Sequence, residues 1–382
     1  MPCHLHAHGL SLTPGELHCA DVNPGESIPL GGEVLLVSRE GNMALSDQQS
    51  VHQVAVPDDP PLNFLGRLSA KADCQLPASK IKCGLLAWWC WIVGVGIELR
   101  IPAVCELSEI VRVLGEWQHT DAPMQLHPGD LGWFWQFGAE ATAAAVRTWS
   151  LAGQVVAVGL LDTPKVLRLT MAPEAQRDER LAQQVVADVG EPQRGVLPVG
   201  EVAVEAPNGA RVQGLLSEVG WNTDEPWTPL RLDLTQPVKE PDMRIEVVGP
   251  ERAPAYTTVH RSSFGSPRFT EELWQAMAAG LPYADARCLL AYDDQGNAVA
   301  EVTVWSAGPG KPGLLEPMGV HAEHRGRGYG KAICVAAAAA LQGLGSSSAI
   351  VCTPSANAGA VATYESAGFT PLPQRRDRTR LA

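Results

Sequence analysis

The chain has 382 residues, 45% of them apolar, and a formal net charge of −13. That length and apolar share suit two or three globular domains, each large enough to bury a core. The negative balance argues against long-range attraction to nucleic acid or an anionic membrane and favours cationic amine partners. Six of the nine cysteines fall in the first third without paired spacing and with no secretory signal ahead of them, which reads as a reduced, cytoplasmic protein.

Residues 1–93 are rich in proline, glycine and short polar runs and hold no sustained period, so they read as a poorly structured N-terminal extension. A small accessory domain is the alternative. Cys3, His4, His6 and His8 are metal-ligating types, but they sit at a terminus, where disorder is the rule, and no metal is assigned to them. The apolar run from Cys83 to Ile97 is shorter than the roughly 20 residues that a membrane helix needs. It is read as buried strand or helix, with a membrane anchor as the minority alternative.

An alternating pattern then begins. Ile97 to Ile101 reads as a strand, Pro102 to Trp117 as a helix, and Gln154 to Leu161 with Val166 to Thr170 as two further strands. From Pro207-Asn208-Gly209 to Gly220-Trp221 the chain echoes its own last third, with Asn208, Leu216 and Gly220-Trp221 standing near the places of Asn357, Tyr364 and Gly368-Phe369. Two copies of one domain follow, spanning 94–235 and 242–382, joined through the proline-containing stretch Leu232 to Met243. In the second copy Arg244 to Val248 reads as a strand, Glu251 to Ser262 and Phe269 to Ala279 as helices, and Arg287 to Tyr292 with Ala298 to Trp305 as a hairpin.

Next comes the stretch on which the rest turns. Leu314, Leu315, Met318 and Val320 read as an apolar strand, Lys331 to Leu341 as an alanine-rich helix, and Arg325-Gly326-Arg327-Gly328-Tyr329-Gly330 as the turn between them. Unpaired N–H groups and the positive end of the helix dipole make such a turn a cradle for a pyrophosphate, and glycines admit the phosphates close to the backbone. A second strand, Ala349 to Cys352, leads to a helix capped by Asn357, carrying Tyr364 and stopped by Gly368. The first copy has no such turn: residues 171–180 lack glycine and hold three carboxylates where phosphates would sit. After Phe369 only a short arginine-rich tail remains.

Together these two elements resemble the GNAT N-acetyltransferase superfamily, and the wording around Asn357 to Phe369 is similar to the catalytic half of mycothiol synthase, a tandem two-domain member. The resemblance implies an α/β (α+β) fold of two tandem GNAT-like domains, each a mixed central sheet flanked by helices. It also implies transfer of an acetyl group from acetyl-CoA, as co-substrate and with no metal, to a small-molecule or peptide amine in a ternary complex. By the same resemblance Arg325, Gly326, Arg327, Gly328, Tyr329, Gly330 and Lys331 hold the pyrophosphate, and Asn357 the pantetheine amide. The backbone of Met318, Gly319 and Val320 pairs with the pantetheine arm and faces the thioester oxygen. Tyr364 is the acid beside the sulfur, with a plain packing tyrosine as its alternative. The base position of the family is Leu314 here, which leaves Glu316, two residues on and on the same strand face, and Glu301 on the preceding strand as candidates, with direct attack and no protein base as the further alternative. His321 and His324 flank the turn as exposed loop histidines. A non-catalytic acyl-CoA sensor is the rival from another class.

Overall fold

The structure is a computed structural model that describes residues 96–382 except 240 and 382, and before residue 96 only the backbone of six short strands. The chain divides into two compact units, 1–85 and 86–382. In the first, Leu5–Ala7 pairs with Leu10–Leu12, and Ser27–Leu30, Glu33–Val37, Met43–Asp47 and Ser50–Gln53 pair in order as an antiparallel meander. The side chains of Cys3, His4, His6 and His8, and the apolar run from Cys83 as far as residue 95, lie outside the described residues.

The second unit is built in two halves that repeat one plan. The first half runs β1 (Ile97–Arg100), α1 (Leu107–Trp117), α2 (Pro128–Phe134), α3 (Ala139–Ala145), β2 (Val146–Leu151), β3 (Gln154–Thr163) and β4 (Val166–Met171). It continues with α4 (Glu179–Gly190), β5 (Val202–Glu205), α5 (Arg211–Glu218) and β6 (Asn222–Asp233). The second half runs β7 (Arg244–Val247), α6 (Ala253–Phe264), α7 (Glu271–Ala278), β8 (Ala286–Tyr292), β9 (Ala298–Trp305) and β10 (Pro312–Val320). After these come α8 (Tyr329–Gly343), β11 (Ser348–Pro354), α9 (Ala358–Ser366), β12 (Thr370–Pro371) and β13 (Arg375–Arg380). Residues 118–153, which carry no readable period, hold α2, α3 and β2. Proline at the first position of α2 and the alanines of α3 are the local signals for the two helices.

The repeat is visible in hydrogen bonds. In the first half the N–H groups of Gly220 and Trp221 reach back to Ser217 and Leu216, and in the second those of Gly368 and Phe369 reach back to Glu365 and Tyr364. Both glycines are left-handed, with φ of 91° and 97°, the backbone state that closes a helix in this way. Each half also has one parallel strand pair held over only three positions, Val166–Arg168 with Ala203–Glu205 and Pro312–Leu314 with Ser348–Ile350.

All the strands of this unit form one mixed sheet in the order β7-β8-β9-β10-β11-β6-β13-β5-β4-β3-β2-β1, with β12 beside β6. The halves exchange their last strands. β6, which follows α5 of the first half, pairs with β11 of the second, while β13 pairs with β5 of the first, and the two exchanged strands pair with each other. The expected short tail after Phe369 is therefore corrected: it contains a strand at the middle of the sheet. Its sequence RRDRTR has no apolar face, so main-chain pairing on both edges and polar contacts hold it. Arg375 pairs with Glu205 at 3.1 Å, and Arg380 donates to the carbonyl of Pro198 at 2.7 Å and lies over the Trp221 ring.

Helices cover both faces. On one, α1 to α3 pack on Val146, Val158 and Leu160 of the first half, and α6 and α7 bring Tyr256, Val259 and Met277 against Leu290, Trp305 and Leu314 of the second. On the other, α4 and α5 bury Leu167, Leu169, Val185 and Leu216, and α8 and α9 bury Val302, Leu315, Ile333 and Phe369. Helix α2 lies against the second half. A Cβ on Gly129 or Gly132 would come within 2.5 or 2.3 Å of the Trp305 side chain, so this approach requires glycine at both positions. The buried His127 that starts the helix bonds the Pro312 carbonyl of β10 at 3.1 Å.

Candidate active site

The chemistry-bearing residues gather where β10 and β11 part. Beyond Leu314 and Ile350 the two strands no longer pair, so the next residues of β10 face a wedge. Between Val302 and Val304 the pairing of β9 with β10 shifts register, a bulge on β10 at 316–317. Bulges re-aim side chains, and this one sits at Glu316. The Trp305 indole N–H fixes its position by donating to the Glu316 carbonyl at 2.6 Å.

The glycine turn lies at the end of this strand. A single 3₁₀ turn, Ala322–His324, leads into it, and α8 starts at Tyr329, two residues earlier than the alanine run suggests. Gly326 and Gly328 are left-handed, with φ of 75° and 85°, and Gly328 is the residue before the first helical position. Its exposed amides and those of the first turn of α8 form the anion-ready end of a helix. Gly330 has another use: a Cβ there would meet the Thr363 methyl at 2.8 Å, so it lets α8 approach α9. Arg327 and Lys331 are exposed at the turn, whereas Arg325 folds back and donates to the Ser263 carbonyl at 2.6 Å. His321 caps the 3₁₀ turn through Glu323 N–H, and Asn357 caps α9 through Ala360 N–H at 3.2 Å. The corresponding helix of the first half is closed differently, since the Asp178 carboxylate itself takes the N–H of Leu181 at 2.7 Å.

Tyr364 projects from α9 into the core shared with Leu315 and Val351 and is 6% exposed. Burial raises its phenol well above the ordinary value, and the neighbouring Cys334, Glu316, Glu301 and Cys352 raise it further. Glu301 is fully buried opposite Gly319, with Oε1 accepting from His260 Nδ1 at 3.1 Å and Oε2 without a hydrogen-bond partner. A Cβ on Gly319 would strike Ser263 at 2.5 Å, which keeps that strand position free of any side chain. Met318 and Val320 turn their side chains to the core on the opposite face of β10.

Glu316 faces a cavity that sequence reading missed. Its floor takes one residue from each of six consecutive strands: Arg168, Glu205, Arg375, Trp227, Cys352 and Glu316. Its roof is the 124–130 stretch of the first half, including Asp130. In a flat sheet β4 and β10, five strands apart, would be separated by about 24 Å. Arg168 nevertheless lies 3.4 Å from Glu316, so the sheet curls around this point. The Arg168 guanidinium also meets Asp130 at 2.6 Å, Glu205 at 3.4 Å and Asp162 at 3.6 Å. Burial works against its charge, but Glu316, Asp130, Glu205 and Asp162 outweigh burial and hold it protonated. Burial pushes Asp130 up to about 7 against the pull of Arg168, with Glu316 and Asp162 repelling its charge. The Cys352 thiol is pushed up to about 12 by burial, which leaves it a weak nucleophile.

The fold is mixed α/β, with a glycine-marked helix start at α8 and a buried phenol on the next helix, α9. Residues 253–369 match the family model described as the acetyltransferase (GNAT) family. That match lies within the second half and covers about a third of the chain, so this part of the chain carries a GNAT-family domain. A search of curated proteins finds no match. Similar solved structures include a GCN5-related N-acetyltransferase from Sphaerobacter thermophilus, at 18% identity and TM-score 0.49 over 74% of this chain and 95% of that one. A tandem GNAT protein from the clavulanic acid biosynthesis pathway has 15% identity and TM-score 0.49 over 74% and 98%. A GNAT-family acetyltransferase from Colwellia psychrerythraea has 17% identity and TM-score 0.47 over 75% and 100%. Among the described residues no helix is long and apolar enough to cross a membrane, and no group of three or more His, Cys, Asp or Glu could hold a metal.

Proposed function

We propose that the second half transfers an acetyl group from acetyl-CoA to a primary amine by direct attack in a ternary complex. The observation that carries this reading is the placement of the Tyr364 phenol. It is buried on α9, and burial together with the groups of Cys334, Glu316, Glu301 and Cys352 raises its pKa so that it stays protonated. The α8 amides around Gly328 would hold the diphosphate, and the unpaired edge of β10 from Leu315 to Val320 would take the pantetheine arm as an added strand. The left-handed glycines and the exposed helix end fit that ligand, because neither puts a side chain in its way.

In the reaction the neutral amine nitrogen forms a bond to the thioester carbon, and the carbon–sulfur bond breaks. A backbone N–H of β10 near Gly319 stabilises the oxygen that gains charge. The proton lost by nitrogen passes to a carboxylate, for which Glu316 lines the cavity, while Tyr364 gives its proton to the departing thiolate. Solvent returns the phenol's proton, so the products are an N-acetyl amine and CoA thiol. Neither Cys352 nor Cys334 acts as acyl carrier: Cys352 is held as a thiol by burial, and Cys334 is packed in the α8 core. Release of free thiol from acetyl-CoA, followed across a panel of amines, tests the reading. Thermal stabilisation by CoA without turnover of any amine would favour the sensor instead.

A further inference from the structure

We infer that His260 and Glu301 form a proton-accepting pair in the transfer reaction above, on which this rests. His260 Nε2 takes the proton that an aliphatic ammonium must lose before it can attack, and Glu301 is the positioning residue behind it. That reaction starts from a neutral nitrogen, whereas an aliphatic amine near neutral pH is almost wholly an ammonium ion. Glu316 receives the proton lost on attack, so the earlier proton needs another acceptor.

The geometry is that of an imidazole oriented by a carboxylate. Glu301 is fully buried on β9 and cannot itself meet an amine, but its Oε1 accepts from His260 Nδ1 at 3.1 Å. With the ring proton held on Nδ1, Nε2 carries the free lone pair. Among the described residues nothing hydrogen-bonds Nε2, and the His260 side chain keeps 10% of its surface exposed. Among the described residues His260 is also the one basic group in ion-pair reach of Glu301, whose Oε2 has no hydrogen-bond partner. The Tyr256 hydroxyl, one turn back on α6, is engaged with Thr303 at 2.6 Å. A buried carboxylate so little compensated is stabilised by a positive charge beside it, which the imidazole provides on taking a proton.

The pair lies against the strand proposed to hold the thioester. The same Oε1 stands 3.0 Å from where a Cβ on Gly319 would be, and Ser263, on the next turn of α6, stands 2.5 Å from it. Three aromatic rings close around the imidazole, with centroids at 4.6 Å for Phe264, 4.7 Å for Phe269 and 5.5 Å for Trp133. Phe264 is 52% exposed, so this collar reaches solvent at the end of α6, and aromatic faces attract an ammonium. Trp133 belongs to α2, which makes the first half part of the approach. In the step itself the ammonium N–H bond breaks, its proton bonds to Nε2, and the electron pair stays on nitrogen for attack on the thioester carbon. The imidazolium then gives its proton to solvent, which accounts for the one proton released per ammonium acetylated.

The test uses the full chain with acetyl-CoA at pH 7.5 and two amines of similar size, ethylamine, an ammonium ion at that pH, and 2,2,2-trifluoroethylamine, which is mostly neutral. Thiol release gives kcat/KM for each. His260→Asn, which keeps an N–H donor for Glu301, should lower kcat/KM for ethylamine at least tenfold more than for trifluoroethylamine. Glu301→Gln, the second variant in case the first folds poorly, should do so at least threefold more. Equal losses for the two amines, as a purely structural role would give, would overturn the inference and leave the transfer reaction standing. If the native chain does not turn over both probes, His260→Ala is assayed with the amine of the panel turned over fastest, where added imidazole should raise the rate at least fivefold. No rise would overturn the inference alone, while thiol release with no amine at all would overturn the transfer reaction and the inference with it.

Discussion

His127 offers a direct test of how the two halves are held together. The ring is fully buried, its Nδ1 accepts from Gly129 N–H at 2.9 Å, and its Nε2 must therefore carry the proton that bonds the Pro312 carbonyl at 3.1 Å. Burial lowers its pKa from 6.5 to about 4, partly offset by the Pro312 carbonyl, because a second ring proton would have no acceptor. Above pH 6.5 neither state of the chain protonates the ring, and its contribution is intact. Between pH 6.5 and 4 the unfolded chain takes up the proton and the folded chain does not. Stability then falls with falling pH at up to about 1.4 kcal/mol per pH unit, ~3 kcal/mol in all. Asp130 and Asp377 work the other way, since carboxyls raised to about 7 in the folded chain bind protons that the unfolded chain does not. The contribution of His127 is isolated by comparison with His127→Gln, which can still offer one acceptor and one donor but does not titrate. In urea titrations followed by tryptophan fluorescence, the advantage of the native chain over this variant should shrink by about 2–3 kcal/mol from pH 7.5 to pH 4.5. Parallel stability curves for the two proteins would refute the reasoning.

The remaining tests address the site and its supports. Tyr364→Phe should lower kcat about 100-fold while CoA affinity, measured by calorimetry, stays within about twofold; equal loss of both would remove its role as acid. Gly132→Ala should destabilise the chain by about 1–3 kcal/mol despite the better helix propensity of alanine, because its Cβ would sit 2.3 Å from Trp305, and a raised Tm would contradict the packing. Gly328→Ala should cost about 1–2 kcal/mol for its left-handed backbone and weaken the thermal shift given by CoA, and an unchanged shift would move the diphosphate elsewhere. Arg168→Met should destabilise by ~3 kcal/mol at pH 7.5 by removing the guanidinium that Asp130, Asp162 and Glu316 face. That loss should lessen at pH 5.5 as they protonate, and a loss that grows with acidity would argue against the cluster.

Much of the second half was legible because its signals are local. The glycine turn, the alanine-rich helix and the Asn357-to-Gly368 helix are each contiguous, and their caps and left-handed glycines follow from rules a few residues long. Glu316 apart, the cavity residues gave no such signal. In β4, Leu167, Leu169 and Met171 alternate with Val166, Arg168 and Thr170, a pattern in which an arginine reads as solvent-facing. Arg168 is in fact covered by α2, an element fixed by Gly129 and Gly132 against a tryptophan 170 or more positions away in the chain. His260, the partner of Glu301, was hidden for the same reason: an isolated histidine on a helix says nothing about the strand beneath it.

By itself the sequence determined the two-copy plan, the loss of the glycine turn in the first copy, and the strand-turn-helix of the second. These depend on backbone rules that act within one turn or one strand. Only the tertiary structure decided that the halves exchange their last strands, that the all-polar RRDRTR segment lies in mid-sheet, and that the curl of the sheet brings Arg168 to Glu316. Strand pairing is made by main-chain groups that every residue carries, and opposing charges pair across any sequence distance once the backbone brings them together.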